Sequence, residues 1–238
     1  MIKICFILVE PSIPGNIGAA ARAIKTMGFS NLRLVNPCDY QHSDETWKLA
    51  HGSGDIIETA AVYTKFHEAT EDLDLVIGTT AKKRSAVHDY YNCQEIPGLF
   101  KEKGSLLSSA GIVFGTEESG LPNEILRECD IVSRIPMNSS YPSLNLSQAV
   151  MIYAYTFFIS GIQKGLDIVP GKNKQSLRMM KQKVTEVLTY ILEDNQTLTG
   201  RVLERLRVMG EDDLHLAHSV CNRLLEIFGK GKILLQEE

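Results

Sequence analysis

The sequence has few of the features that mark secreted, metal-bound or membrane-spanning proteins. Its five cysteines are an odd number and form no C-x-x-C pair, which argues against a disulfide framework or a zinc ribbon. The longest apolar run, 149–159, is about half of the roughly 20 residues that a membrane-spanning helix needs. The N-terminus lacks the basic start and small-residue cleavage site of a signal peptide. We therefore expect a cytoplasmic protein with reduced thiols and no membrane partner.

No charge of one sign dominates the chain. There are 25 lysines and arginines against 29 aspartates and glutamates, a net charge of −4 over 238 residues. A surface that is basic throughout is excluded, so any site for nucleic acid has to be a local patch. With 44% hydrophobic and 23% charged residues, the composition is that of a globular protein and excludes a disordered or collagen-like chain.

Short β-branched runs alternate with helical periodicity in the first part of the chain. Strands are predicted at 3–9, 31–35, 74–78, 111–115 and 131–135. A helix is predicted from the apolar spacing between the first two strands, and Gly28 is its stop signal. This alternation predicts an α/β fold, with a parallel sheet covered by helices on both faces. Ligands of such sheets bind in loops beyond the carboxyl ends of the strands, here 10–16, 78–84, 115–121 and 135–145.

The composition changes near residue 161. Lysine and arginine predominate from there to residue 183, and Pro170-Gly171 within this stretch indicates a linker. Beyond the linker only helical periodicity remains. We expect a first domain over 1–162, a basic linker over 163–174 and a small helical extension over 175–238.

The first two loops suit a ligand, although each also has a simpler structural explanation. Gly15 and Gly18 let the backbone approach a ligand closely, whereas Asn16 can simply cap the following helix. The second loop carries three consecutive cations: Lys82, Lys83 and Arg84. Clustered cations at a strand end suit a polyanion such as a phosphate chain, or form a solvated turn.

The loops at 115–121 and 10–16 argue against two enzyme classes, and the fourth loop has features of a helix cap. Gly115 and Gly120 have phosphate-loop spacing, but Leu121-Pro122 stands where lysine and a hydroxyl residue are required, which argues against a nucleoside triphosphatase. Residues 10–15 do not supply the G-x-G-x-x-G of a dinucleotide-binding redox enzyme. The fourth loop is polar, and Ser143 or Asn145 can cap the apolar helix behind it.

Taken in order, these loops resemble the three motifs of one known family. The motifs are Asn16-Ile17-Gly18 with Arg22, Gly115-x-Glu117-x-x-Gly120-Leu121, and Ile135-Pro136 with Ser143-Leu144-Asn145. They resemble the SpoU branch of the SPOUT RNA methyltransferases. The stretch 14–37, Gly78-Thr79-Thr80-Ala81 and the helical extension are most similar to the TrmJ type, which methylates a ribose 2′-hydroxyl in the tRNA anticodon loop.

The resemblance implies a SPOUT fold with a deep trefoil knot near the end of the first domain, and a homodimer. It also implies S-adenosylmethionine as methyl donor, no metal, and RNA, above all tRNA, as partner. Cofactor contacts are then expected from Thr79, Thr80, Ala81, Gly115, Ile135, Pro142, Ser143 and Leu144. Apolar walls with backbone donors suit an adenine ring and a methionine sulfonium.

The resemblance assigns catalysis to Arg22, Asn16, Glu117, Ser143 and Asn145. A ribose hydroxyl is a weak acid, so we expect the Arg22 guanidinium to stabilise a developing alkoxide and to position phosphate. Asn16 is expected to hold the ribose, and Glu117 to orient Arg22 or the loop of Asn145. RNA contacts are expected from Arg22, Lys82, Lys83 and Arg84. TrmJ relatives commonly carry arginine at the position of Thr116, a departure that bears on RNA contact or nucleotide preference.

Two other functions stay open from the sequence. One is methylation of ribosomal RNA, and the other is RNA binding without catalysis by a protein that kept the fold. The intact motif residues, Arg22 and Glu117 among them, count against the second. Base methylation through a cysteine nucleophile is disfavoured, because no cysteine lies in the four loops with an obvious base partner.

Overall fold

The computed structural model describes residues 2–81, 90–138, 143–162, 176–192 and 195–234. Some of the predictions fall on other parts of the chain. The basic triplet Lys82, Lys83 and Arg84, the predicted cofactor residue Pro142 and the predicted linker 163–174 all lie outside the described residues.

In the described part of the chain, seven strands form one parallel sheet, which confirms the predicted α/β class. The strands are β1 (Lys3–Val9), β2 (Asn31–Val35), β3 (Ala61–Tyr63), β4 (Leu75–Thr79), β5 (Tyr90–Asn92), β6 (Ser109–Phe114) and β7 (Ile131–Arg134). Their order across the sheet is β3-β2-β1-β6-β4-β7-β5. The chain therefore returns to insert β6 between β1 and β4.

The predicted strands differ from the observed ones mainly at the sheet edges and at one loop. β1 and β2 have the predicted bounds, whereas β3 and β5 were not predicted. The prediction that Gly115 ends a strand is wrong: β6 stops at Phe114, and Gly115 begins the following loop. The close approach of Gly120 to Gly115 turns the chain away from the sheet at this point.

Helices connect the strands and form the C-terminal part of the described chain. They are α1 (Pro14–Thr26), α2 (Asp44–Ala50), α3 (Gly54–Glu58), α4 (Ile96–Glu102), α5 (Asn123–Glu128), α6 (Leu146–Ile159), α7 (Leu177–Leu192), α8 (Gln196–Val208) and α9 (Glu211–Leu234). Gly28, with a φ of 78°, ends α1 as predicted, because only glycine adopts this left-handed conformation without strain. Its N–H bonds to Lys25 O and that of Phe29 to Ile24 O, which satisfies the last carbonyls of α1.

Both faces of the central strand β1 are buried, since alternate side chains point to opposite faces of a strand. One face belongs to an apolar cluster that includes Cys5, Ile7, Val9, Leu73, Leu121 and Leu126. The other face packs in an aromatic cluster of Phe6, Phe29, Phe114, Tyr153 and Phe157. Through this second cluster the sheet holds α6, the helix that follows the fourth predicted loop.

The chain divides into two compact units. The first comprises Met1–Gly98 with Ser108–Ile168, and the second comprises Leu99–Leu107 with Val169–Glu238. Within the second unit, Lys183 of α7 donates to His218 Nε2 at 3.0 Å and to Asn222 Oδ1 at 2.8 Å, which joins α7 to α9. The predicted boundaries at 162 and 175 stay a prediction, because the segment between them is not described. No described helix is long and apolar enough to cross a membrane.

Candidate functional site

The strand order brings the loops of the predicted site together at one edge of the sheet. β6, β4 and β7 are neighbours and parallel, so the loops after their carboxyl ends are adjacent. These loops and the start of α6 enclose a cavity of about 260 Å³. The predicted cofactor residues that the structure describes all line it: Thr79, Thr80, Ala81, Gly115, Ile135, Ser143 and Leu144.

The cavity walls combine apolar side chains with about as many polar ones. Apolar side chains come from Phe114, Ile135, Met137, Leu144, Leu146, Ala149 and Tyr153. Polar side chains come from Thr79, Thr80, Thr116, Glu117, Glu118, Ser119 and Ser143. No lysine, arginine or histidine lines the cavity within the described ranges. Such a lining suits a flat, weakly polar ring system better than a chain of phosphates.

Hydrogen bonds fix the cavity floor to the sheet. The Thr79 hydroxyl donates to Val113 O at 2.8 Å, and Thr80 N–H donates to Ser133 O at 3.0 Å, so the loop after β4 is tied to both neighbouring strands. The Tyr153 hydroxyl of α6 donates to Ser133 Oγ at 2.8 Å, and both residues are fully buried. Burial raises the pKa of the Tyr153 phenol, which keeps this donor protonated.

The loop after β6 turns so tightly that Gly115 has no room for a side chain. A Cβ atom there would lie 2.1 Å from the carbonyl carbon of Gly120 and 2.2 Å from the nitrogen of Leu121. Gly120 N–H donates to Thr116 O at 3.0 Å, and the Thr116 and Ser119 hydroxyls are 2.9 Å apart. Thr116 therefore closes its own loop and lines the cavity.

Glu117 joins this loop to the loop after β1. Its Oε2 accepts from Ser12 N at 3.0 Å and from Ser12 Oγ at 2.8 Å. Its Oε1 accepts from Asn16 Nδ2 at 2.8 Å and from Ile13 N at 3.3 Å. Burial by itself raises the pKa of Glu117, but the hydrogen bonds from Asn16 and Ser12 outweigh it and hold the pKa below its usual range. The carboxylate is thus a fixed, ionised anchor between two motifs.

Asn16 passes this connection on to the third motif. Its Oδ1 accepts from Asn145 Nδ2 at 2.8 Å, so Glu117, Asn16 and Asn145 form one hydrogen-bonded chain. Asn145 also caps α6, because its Oδ1 accepts from Ser147 N at 2.9 Å, with Gln148 completing a capping box. The simpler interpretation of Asn16 as a helix cap is wrong: α1 begins at Pro14, its N-cap residue is Ile13, and Asn16 lies inside the helix.

Comparison with known proteins places this arrangement in a family. The chain matches the SpoU rRNA Methylase family over residues 3–155. The chain belongs to the SpoU methylase family. The predicted family and the class of RNA methyltransferase are thereby confirmed.

Full-length relatives of the SpoU family are similar over nearly the whole chain. TrmJ of Sodalis glossinidius, named a tRNA (cytidine/uridine-2′-O-)-methyltransferase, is 40% identical over 99% of this chain and 87% of its own length. LasT of Escherichia coli, an uncharacterized tRNA/rRNA methyltransferase, is 38% identical over 92% of this chain and 96% of its own. The solved structure of TrmJ from Z. mobilis has a TM-score of 0.66 at 26% identity, covering 92% of this chain and 98% of its own.

Arg22, the remaining motif residue of the SpoU family, lies apart from the cavity. It is exposed on α1 and is not among the cavity-lining residues. No hydrogen bond or ion pair links it to any residue that the structure describes, and Glu117 bonds to Asn16 instead. Glu117 was expected to orient either Arg22 or the loop of Asn145. The structure shows the second arrangement, in which Glu117 is connected to Asn145 through Asn16. The catalytic role of Arg22 stays a prediction.

Several residues of the site were not predicted from the sequence, although the spacing of some of them could have indicated their position. Leu146, Ala149 and Tyr153 are spaced i, i+3 and i+7 on α6, which is one face of a helix. Their position directly after a predicted ligand loop could have assigned that face to the cavity. Ile13 acts through its backbone N–H, which no residue type reveals, whereas Ser12 donates through both its backbone N–H and its hydroxyl.

The hydrogen bond between the Tyr153 and Ser133 hydroxyls, at the cavity floor, should contribute measurably to the stability of the fold. We expect Tyr153→Phe to lower the free energy of unfolding by about 1–2 kcal/mol, because Ser133 Oγ loses its partner while the ring packing is kept. Denaturant unfolding measures this change. Tyr63→Phe, in the edge strand β3, is the matched control, because its hydroxyl forms no hydrogen bond with any residue that the structure describes; it should change the same quantity by less than about 0.5 kcal/mol. Equal effects of the two substitutions on the free energy of unfolding would mean that the Tyr153–Ser133 hydrogen bond does not stabilise the fold.

Proposed function

We propose that this chain is an S-adenosylmethionine-dependent methyltransferase that methylates a ribose 2′-hydroxyl of tRNA in the cytoplasm. The observation that carries the proposal is the chain of hydrogen bonds from Glu117 through Asn16 to Asn145 beside a partly apolar cavity. These hydrogen bonds connect one residue from each of the three motifs, and they lie between the ligand cavity and the first turn of α1.

The cavity fits the proposed methyl donor. Ring-shaped and aliphatic walls from Phe114, Ile135 and Leu144 suit adenine, and the Thr79 and Thr80 region supplies polar groups for ribose and amino-acid atoms. The tight turn at Gly115 brings backbone close to the occupant. When bound, S-adenosylmethionine supplies a methyl group on a positively charged sulfur, and the protein has only to orient it and exclude water.

The residues at the cavity edge support ribose binding. Asn16 has both side-chain atoms engaged, Nδ2 with Glu117 and Oδ1 with Asn145, so it is held in one orientation. A fixed amide can hold a sugar without an entropic cost at the moment of reaction. Arg22 supplies the positive charge that a developing alkoxide and a neighbouring phosphate require. Ser143, on the cavity wall, is placed to shape the mouth.

We include a homodimer and a trefoil knot in the proposal. An exposed apolar face on α6 supports the dimer: Tyr155, Phe158 and Ile159 have helical spacing and face solvent in the single chain. This helix packs on α1, which carries Arg22. A second copy seated on this face would bring another Arg22 to the site. The knot rests on membership of the family.

The test combines donor binding with identification of the product. The purified full chain is titrated with S-adenosylmethionine by calorimetry, then incubated with methyl-labelled donor and either unmodified tRNA or ribosomal RNA. We expect saturable binding, and label that appears in tRNA as a 2′-O-methylated nucleoside by mass spectrometry. Label in ribosomal RNA alone would favour the alternative substrate, and no heat with the donor would overturn the proposal.

A further inference from the structure

Glu118 differs from its neighbours in the cavity wall because its carboxylate has no partner among the residues that the structure describes. Glu117 is occupied by four donors, and the Thr116 hydroxyl is bonded to Ser119. Among the residues that the structure describes, none forms a hydrogen bond or ion pair with Glu118. Glu118 is nevertheless one of the residues that line the cavity. The carboxylate is therefore available to whatever occupies the cavity.

The formal charges at the cavity are negative. Its described lining has two carboxylates, Glu117 and Glu118, and no cationic side chain. The charge of Glu117 is spread over hydrogen bonds from Ser12, Ile13 and Asn16, whereas no residue in the described part of the chain offsets the charge of Glu118. An occupant that carries a positive charge is therefore favoured over a neutral one of the same shape.

We propose that Glu118 makes this cavity select by charge between the methyl donor and its demethylated product. The inference rests on the proposed function, because S-adenosylmethionine is taken as the occupant. On transfer, the carbon–sulfur bond breaks and its electron pair stays on sulfur. A carbon–oxygen bond forms to the ribose, whose hydroxyl proton passes to water. The sulfonium thus becomes a neutral thioether, and S-adenosylhomocysteine loses the charge that Glu118 attracts.

This selection favours exchange of product for donor after each turnover. The two ligands share their adenosine and amino-acid parts, so the apolar walls and hydroxyl groups of the cavity cannot distinguish them well. One methyl group and one charge are the only differences, and the charge acts over a longer range than the methyl contact. Because Glu118 is exposed, solvent and salt screen its field, and the preference amounts to about fivefold in the dissociation constant.

The experiment compares three ligands on the full-length protein by titration calorimetry. S-adenosylmethionine carries a sulfonium, sinefungin carries an ammonium near the same position, and S-adenosylhomocysteine carries no charge there. We expect Glu118→Gln to weaken the two charged ligands about fivefold and the neutral ligand by less than about twofold. Glu118→Asp should keep most of the preference because it keeps the charge. In the wild-type protein, raising the salt concentration should reduce the difference in dissociation constant between the charged ligands and the neutral ligand.

Glu128→Gln is the matched control, since it removes the same charge from an exposed residue at the end of α5 that does not line the cavity. It should leave all three affinities unchanged. Equal weakening of the three ligands by Glu118→Gln, or no change in any, overturns the inference and leaves the proposed function intact. If the unchanged protein fails to bind S-adenosylmethionine at all, the proposed function fails and the inference with it.

Discussion

Arg22→Ala is expected to reduce methyl transfer by about a hundredfold or more while S-adenosylmethionine affinity stays within about twofold. Arg22 is exposed on α1 and is not part of the cavity lining, so its removal leaves the donor-binding walls unchanged. It is also the one cation among the motif residues, and a developing alkoxide next to a phosphate depends on such a charge. Single-turnover rates and calorimetry measure the two quantities separately.

Arg127→Ala is the control for this prediction. It removes an exposed arginine from α5, where the side chain is 3.9 Å from Glu124 and outside the cavity lining. It should change neither rate nor affinity appreciably. An unchanged rate in Arg22→Ala would remove Arg22 from the mechanism, and a large loss of donor affinity would show that it acts on the cavity instead.

The separation of Arg22 from the cavity also predicts which chain of the proposed dimer it serves. We expect a site to combine the Glu117 network of one chain with Arg22 of a second copy. Co-expression of Arg22→Ala with Glu117→Gln then yields mixed dimers that contain one intact site. With random pairing, half of the dimers are mixed and each has one intact site out of two, so about a quarter of the wild-type activity should be restored. No recovery above either variant alone would mean that Arg22 acts within its own chain.

How far the fold could be predicted depended on where each strand lies in the sheet. Central β1 is buried on both faces, so its sequence is a continuous apolar run with clear ends. β3 and β5 form the two edges, contain three residues each and are partly exposed, so they leave no such run. The insertion of β6 between β1 and β4 is set by long-range pairing, which has no local signal in the sequence.

The site was predictable as a set of loops but not as a set of bonds. Parallel strands place their carboxyl ends on one edge, so the meeting of the loops at 79–81, 115–120 and 143–145 followed from the fold class. The partner of Glu117 did not follow, because a carboxylate can accept hydrogen bonds from an arginine or from an amide, and residue types alone do not decide between them. The choice of Asn16 depends on β1 and β6 being neighbours, which the sequence alone did not reveal.

Glu117→Gln is expected to lower methyl transfer by about a hundredfold, because misplacing the ribose-holding groups by a small distance costs that much. Both carboxylate oxygens accept hydrogen bonds, Oε2 from Ser12 and Oε1 from Ile13 and Asn16. Glutamine replaces one of these two accepting oxygens with an NH₂ group, which cannot accept a hydrogen bond from the donors that face it. Asn16 cannot compensate by rotating its amide, since its Oδ1 already accepts from Asn145. Rates on tRNA, with Glu128→Gln as the matched control, measure the loss.

The same substitution tests the ionised state of Glu117 through its pH dependence. The pKa of Glu117 in the folded protein is lowered from its ordinary value of 4.5, so its stabilising contribution is present above that pH and is lost as the pH falls through the lowered pKa. The unfolding free energy of Glu117→Gln should therefore lie below that of the wild-type protein between about pH 6 and 8, by about 1 kcal/mol because solvent screens this partly exposed group, and the gap should narrow in strong acid. A gap that stays constant into strong acid would mean that the hydrogen bonds of Glu117 do not depend on its charge.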